Sequence, residues 1–142
     1  MNIRLLSLVM IFWSTASTSV ELVFRESHFL NQYRHEIYLN AGQYVYIDDH
    51  FTIDRDSKWV PNVPIIKAKV IDLEVQLHLL EQLIELGVKN WKPEYPEDST
   101  ALICDGLSFT IYVKSEELNI YSSGGCRFPP NYEKVREILV DL

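Results

Sequence analysis

Four histidines, twenty acidic side chains, two cysteines and eight tyrosines are the residues of this 142-residue chain with the most chemistry to offer. A Ser-His-Asp hydrolase would hold its serine in a turn such as Gly-x-Ser-x-Gly, and the sequence contains none. A Cys-His pair needs a free thiol, which an oxidising compartment disfavours. Asp48, Asp49 and His50, followed by Asp54 and Asp56, form the most metal-like stretch. Contiguous residues on an extended chain point to alternate sides, however, and neither His-Glu-x-x-His nor EF-hand spacing occurs. His28, His35, His50 and His78 are dispersed, and His78, between Leu77 and Leu79, reads as a boundary residue of a helix. The sequence therefore predicts no catalytic residue, no metal site and no cofactor. Carboxylate pairs for glycoside chemistry carry no signal, since so many acids always furnish pairs.

Recognition has one better candidate. The segments 35–39 and 43–48 flank Asn40-Ala41-Gly42, which reads as a three-residue hairpin loop closed by a left-handed glycine. That loop sets Ile37 opposite Val45. Strand alternation then gives an aliphatic face of Ile37, Leu39, Val45 and Ile47 and an aromatic face of Tyr38, Tyr44 and Tyr46. Tyrosine combines apolar area with a polar tip and is enriched at interfaces, so Tyr38, Tyr44 and Tyr46 are the candidate binding residues. The competing reading is that these rings are sheet-stabilising core.

The elements that must position these residues follow from hydrophobic periodicity. Val20, Leu22 and Phe24 alternate as a strand, and a polar stretch from Arg25 to Arg34 follows. Residues 49–64, with three acids (Asp49, Asp54 and Asp56), Trp59 and two prolines, read as an irregular loop. Ile65–Ile71 is a short strand. Asp72 caps a helix to about Leu86 with Leu73, Leu77, Leu80, Leu83 and Ile84 on one face; Gly87 stops it and Val88 packs back on Leu83. Leu107, Phe109, Ile111 and Val113 alternate with Ser108, Thr110, Tyr112 and Lys114 as a half-buried antiparallel strand. A turn at Ser115-Glu116-Glu117 leads to a partner strand from Leu118 to Ser122 that Gly124 and Gly125 break. Pro129-Pro130 precede a last helix carrying Tyr132, Val135, Ile138, Leu139 and Leu142 on one face. The fold class is α+β: an antiparallel sheet of two hairpins plus an N-terminal strand, packed on two amphipathic helices.

The N-terminus reads as a secretory signal peptide over residues 1–19, with a basic start at Arg4, an apolar run from Leu5 to Trp13 and a small-residue tract from Ser14 to Ser19. The run is too short for a membrane anchor, and cleavage fits after Ala16 or Ser19. Residues 20–142 then form one domain, periplasmic or secreted, with no membrane span. Losing Arg4 leaves 12 basic against 20 acidic residues, a balance of −8. Nucleic acid is an unsuitable partner for so acidic a chain. Export also makes Cys104 and Cys126 each other's partners in a disulfide. A turn centred between Glu116 and Glu117 sets Cys104 opposite Pro129, an offset the Gly124-Gly125 break would absorb.

Leu86-Gly87-Val88, Trp91 with Tyr95, Cys104-Asp105-Gly106-Leu107-Ser108-Phe109 and Gly124-Gly125-Cys126-Arg127-Phe128-Pro129 occur here in an order that resembles a family of small exported bacterial domains of unknown function. The resemblance covers about half of the chain and implies a fold and no activity. The function expected is that of an exported, non-enzymatic binding domain with another protein as partner, for example a periplasmic inhibitor or immunity-type protein. The alternatives are a small secreted hydrolase using acidic residues and a structural envelope component.

Overall fold

The computed structural model describes residues 19–28, 33–96 and 106–142, without the side chains of Ile53 and Trp59. Residues 1–18, where the leader is expected, and Cys104 lie outside these segments. The chain runs β1 (Glu21–His28), β2 (Tyr33–Asn40), β3 (Gln43–Ile53), β4 (Trp59–Pro61), β5 (Ile65–Val70), α1 (Leu73–Glu85), a 3-10 turn (Val88–Asn90), β6 (Glu94–Tyr95), β7 (Leu107–Lys114), β8 (Asn119–Gly125) and α2 (Tyr132–Val140). It is an α+β protein. The strand order is β4-β3-β2-β1-β7-β8-β6, with β5 also paired to β3. Every pairing is antiparallel except that of β6 with β8.

Cα registers line up side chains in rows across the strands, and the rows decide what each part of the sheet does. On the face toward the helices the first row is Val113, Leu22, Leu39 and Tyr44, and the second is Ile111, Phe24, Ile37 and Tyr46. All eight are buried. Burying each such side chain contributes roughly 1.5–3 kcal/mol, so these rows form the base of the core. The helices close over it with Leu79, Leu80 and Leu83 of α1 and Tyr132, Val135 and Leu139 of α2. The Tyr44 hydroxyl donates to the Leu139 carbonyl at 2.9 Å, tying α2 to the sheet.

Four expectations are corrected. The first hairpin turns on two residues, Ala41 and Gly42, both with positive φ (48° and 76°), and pairs Asn40 with Gln43. Ile37 therefore opposes Tyr46, not Val45. An Asn-Gly or Asp-Gly pair announces such a turn, whereas alanine rarely takes this conformation. Residues 49–64 are not one irregular loop: β3 continues to Ile53 and pairs with β4. Gly124 and Gly125 do not break β8 but pair with Phe109 and Ser108. Gly124 is needed there, since a Cβ would lie 2.6 Å from the Arg127 carbonyl oxygen and 2.8 Å from the Phe109 ring. On α1 the buried set is Gln76, Leu79, Leu80 and Leu83, while Leu73 and Leu77 are exposed.

Other expectations hold. Asp72 caps α1, its Oδ1 accepting from the Val75 amide at 3.0 Å, and Gly87 ends the helix in the left-handed region. The β7 alternation is as read, and the turn register stands, with Lys114 opposite Asn119. Cys126 follows β8, and its amide donates to the Leu107 carbonyl.

Candidate functional site

The corrected hairpin register separates the three candidate tyrosines. Tyr44 and Tyr46 point into the helix-covered core, where Lys69 and Lys67 of the edge strand β5 lie over their rings with Nζ 5.5 Å from each centroid. Burial pushes the Tyr44 hydroxyl up to about 12, and neighbouring Tyr46 and Asp141 push the same way. Tyr38 faces the opposite side. It accepts a hydrogen bond from Arg25 at 3.3 Å and donates one to Glu36 at 2.6 Å.

That opposite side carries an aromatic surface of different composition. One continuous cross-strand row runs Tyr121, Tyr112, Val23, Tyr38, Val45 and Ala68. Tyr121 is 54% exposed, and Tyr112 and Tyr38 are partly exposed. Beside the row, Ile66 and Val70 of β5 are exposed at 64% and 81%. The helices and all the buried apolar residues of the sheet lie on the other face. The sequence already contained the signal for Tyr112, since it alternates with Ile111 and Val113. Tyr121 follows from the same turn register that sets Lys114 opposite Asn119.

A second grouping lies on the core face, where the apolar rows give way to polar ones. Continuing along the strands, the third row is Phe109, Glu26, His35 and Asp48, and the fourth is Leu107, His28, Tyr33 and His50. Three histidines that are far apart in sequence thus converge. Period-two extension would have found them: Leu39 and Ile37 lead to His35, and Tyr44 and Tyr46 lead to Asp48 and His50. Likewise Leu22 and Phe24 lead to Glu26, which the polar stretch concealed.

Glu26 anchors this end. Its side chain is 1% exposed and accepts from the Tyr132 hydroxyl at 2.5 Å, from Arg136 Nε at 2.9 and 3.0 Å, and from the Tyr33 hydroxyl at 3.3 Å. Burial by itself raises the Glu26 carboxyl, but His35, Tyr132 and Arg136 outweigh it and hold the group at about 2. Burial and the Glu26 charge push the Tyr132 hydroxyl far up. Glu26 is therefore a permanent anion clamped between the sheet and α2, and its buried, fully engaged oxygens suit it to positioning rather than proton transfer.

Beyond Glu26 the row opens to solvent. Asp48 Oδ1 lies 3.0 Å from His35 Nε2 and 2.6 Å from His50 Nε2. Their side chains are 16%, 12% and 45% exposed, respectively. Tyr33 stacks on His35 with ring centroids 4.8 Å apart. Asp49, adjacent in sequence, points to the other face and pairs with Arg34 at 3.2 Å. Asp54 folds back on its own loop, accepting from the Asp56 and Lys58 amides. His78 is exposed on α1 beside Glu81.

Searches against family models and curated proteins return no match to this chain. Among the described residues no helix is long and apolar enough to cross a membrane.

Proposed function

We propose that this chain is an exported, non-enzymatic binding domain that receives a partner protein on the open face of its sheet. The observation that carries the reading is the aromatic row of Tyr121, Tyr112 and Tyr38 on the face away from both helices, continued toward the β5 edge by Ile66 and Val70. Tyrosine rings held on a rigid sheet lose little conformational entropy on binding, which is why such surfaces serve recognition. The acidic balance of the mature chain favours a cationic partner, as an inhibitor or immunity-type protein facing a basic secreted enzyme would have. Export rests on the leader, and the first core residue, Val20, stands directly after the expected cleavage region.

The test is capture from the producing cell's envelope fraction and medium. The mature chain should retain one protein in stoichiometric amount. A Tyr112→Ser, Tyr121→Ser double variant should lose it with the thermal midpoint unchanged within a few degrees. Capture indifferent to these substitutions, or turnover of a wall or glycan substrate with nothing captured, overturns the reading.

A further inference from the structure

We propose that His35, Asp48 and His50 form a binding site for one borderline divalent transition-metal ion of the Zn²⁺ class. The three donor atoms come from two neighbouring strands and all lie within 4.8 Å of one another. Tetrahedral Zn²⁺, with bonds of about 2.0–2.1 Å, spaces its ligands roughly 3.3 Å apart. The His35–Asp48 and His50–Asp48 separations of 3.0 and 2.6 Å open by about 0.3 and about 0.7 Å to reach that figure, a shift that rotation of the exposed His50 side chain can supply. Two imidazole nitrogens and one carboxylate oxygen select Zn²⁺, Cu²⁺ or Ni²⁺ over Ca²⁺ or Mg²⁺, which prefer oxygen cages.

The surroundings of His35 make this more than a coincidence of three polar side chains. His35 Nδ1 is buried and points at Glu26 Oε1, 3.6 Å away, and it has no hydrogen-bond partner of its own. Asp48 Oδ1 is likewise buried without a partner that meets hydrogen-bond geometry. A neutral imidazole has one N–H for its two nitrogens. With that proton turned toward the Glu26 anion, His35 Nε2 and Asp48 Oδ1, 3.0 Å apart, offer two lone pairs to one point. A cation held there satisfies both and draws in His50 Nε2. The carboxylate–histidine–metal relay that results is the arrangement that fixes the tautomer of a metal-ligating histidine. Tyr132 and Arg136 in turn fix Glu26, so the deeper half of the site is preorganised. His50, nearly half exposed, leaves the fourth position to water or to a group from a partner. The site lies on the helix-covered side of the sheet and is independent of the open aromatic face.

The experiment is calorimetric titration of the chelator-treated mature chain with Zn²⁺ alone, with Co²⁺ absorption as a second readout. One Zn²⁺ per chain should bind at micromolar or tighter dissociation constant. Co²⁺ should show the intense visible bands of tetrahedral nitrogen and oxygen ligation. His50→Ala, at the exposed ligand, should weaken Zn²⁺ at least tenfold while circular dichroism and the thermal midpoint without metal stay near wild type. His35→Gln should do the same, and His78→Ala should leave affinity unchanged. Absence of saturable Zn²⁺ binding overturns the proposal, as does binding that survives His50→Ala or that is lost equally in His78→Ala. Failure of the unsubstituted chain to capture a partner, or capture unchanged in the Tyr112→Ser, Tyr121→Ser variant, with Zn²⁺ binding intact would overturn the open-face reading alone.

Discussion

Replacing Glu26 by glutamine removes the one fully buried charge among the described residues while keeping the side chain's size. A carboxyl held at about 2 against an ordinary value of 4.5 binds its proton far more weakly in the folded chain than in the unfolded one. At about 1.4 kcal/mol per tenfold change in proton affinity, the anion contributes roughly 3 kcal/mol at neutral pH. Because the folded value is the lower one, this contribution is complete above 4.5 and disappears as pH falls through 2. Glu26→Gln should therefore lose about 3 kcal/mol at neutral pH, near the lower end of what breaking a buried pair costs, since Arg136 is 30% exposed and can hydrate once its partner is neutral. Urea unfolding followed by circular dichroism measures it, for wild type and variant, at neutral pH and at steps between 4.5 and 2. The gap should narrow with each step as the wild-type carboxylate is titrated. A loss under about 1 kcal/mol at neutral pH, or a gap that stays constant through the window, would refute the assignment of Glu26 as the anion that locks α2 to the sheet.

Other outcomes follow from single contacts. Gly124→Ala should cost about 1–3 kcal/mol in the same urea assay, because its Cβ would meet the Arg127 carbonyl, the Phe109 ring and Tyr95 Cβ at 2.6, 2.8 and 2.9 Å; a neutral substitution would mean that the Arg127 loop yields freely. Asp72→Ala should cost about 1 kcal/mol through loss of the cap to Val75, read as a lower thermal midpoint. The Cys104–Cys126 disulfide, which we retain as a proposal for the exported chain, closes a loop of about 22 residues and should add roughly 3 kcal/mol. Intact mass two hydrogens below the reduced value supports the bond, and two alkylatable thiols under native conditions exclude it.

What the sequence revealed depended on whether a periodic signal ran without interruption. In β7 every second residue from Phe109 to Val113 is apolar, and both the strand and its inward face were legible. The same period in β1, β2 and β3 passes from apolar to polar residues at Glu26, His35 and Asp48. Hydrophobicity alone therefore ended those strands too early, and the converging histidines stayed hidden. The tyrosine faces failed for another reason. A single residue of loop length decides which side of a strand points inward, and Ala41 gives no hint that it takes a left-handed turn. On α1, Gln76 is buried because its amide donates to the Ile71 carbonyl, a polar anchor that a purely apolar reading of the helix face passes over.

The place of β1 has a consequence for how the molecule reaches this structure. It lies at the middle of the strand order, between β2, its neighbour in the chain, and β7, which begins only at Leu107. The β1–β2–β3 meander can assemble early from local contacts, whereas the β1–β7 seam, Glu21 against Lys114, must wait until most of the polypeptide is present. Until then β1 exposes an unpaired edge bearing Leu22 and Phe24, the kind of surface on which chains join one another instead of folding. Fragments that stop before Leu107 should accordingly aggregate, and refolding of the whole chain should be limited by this one long-range closure.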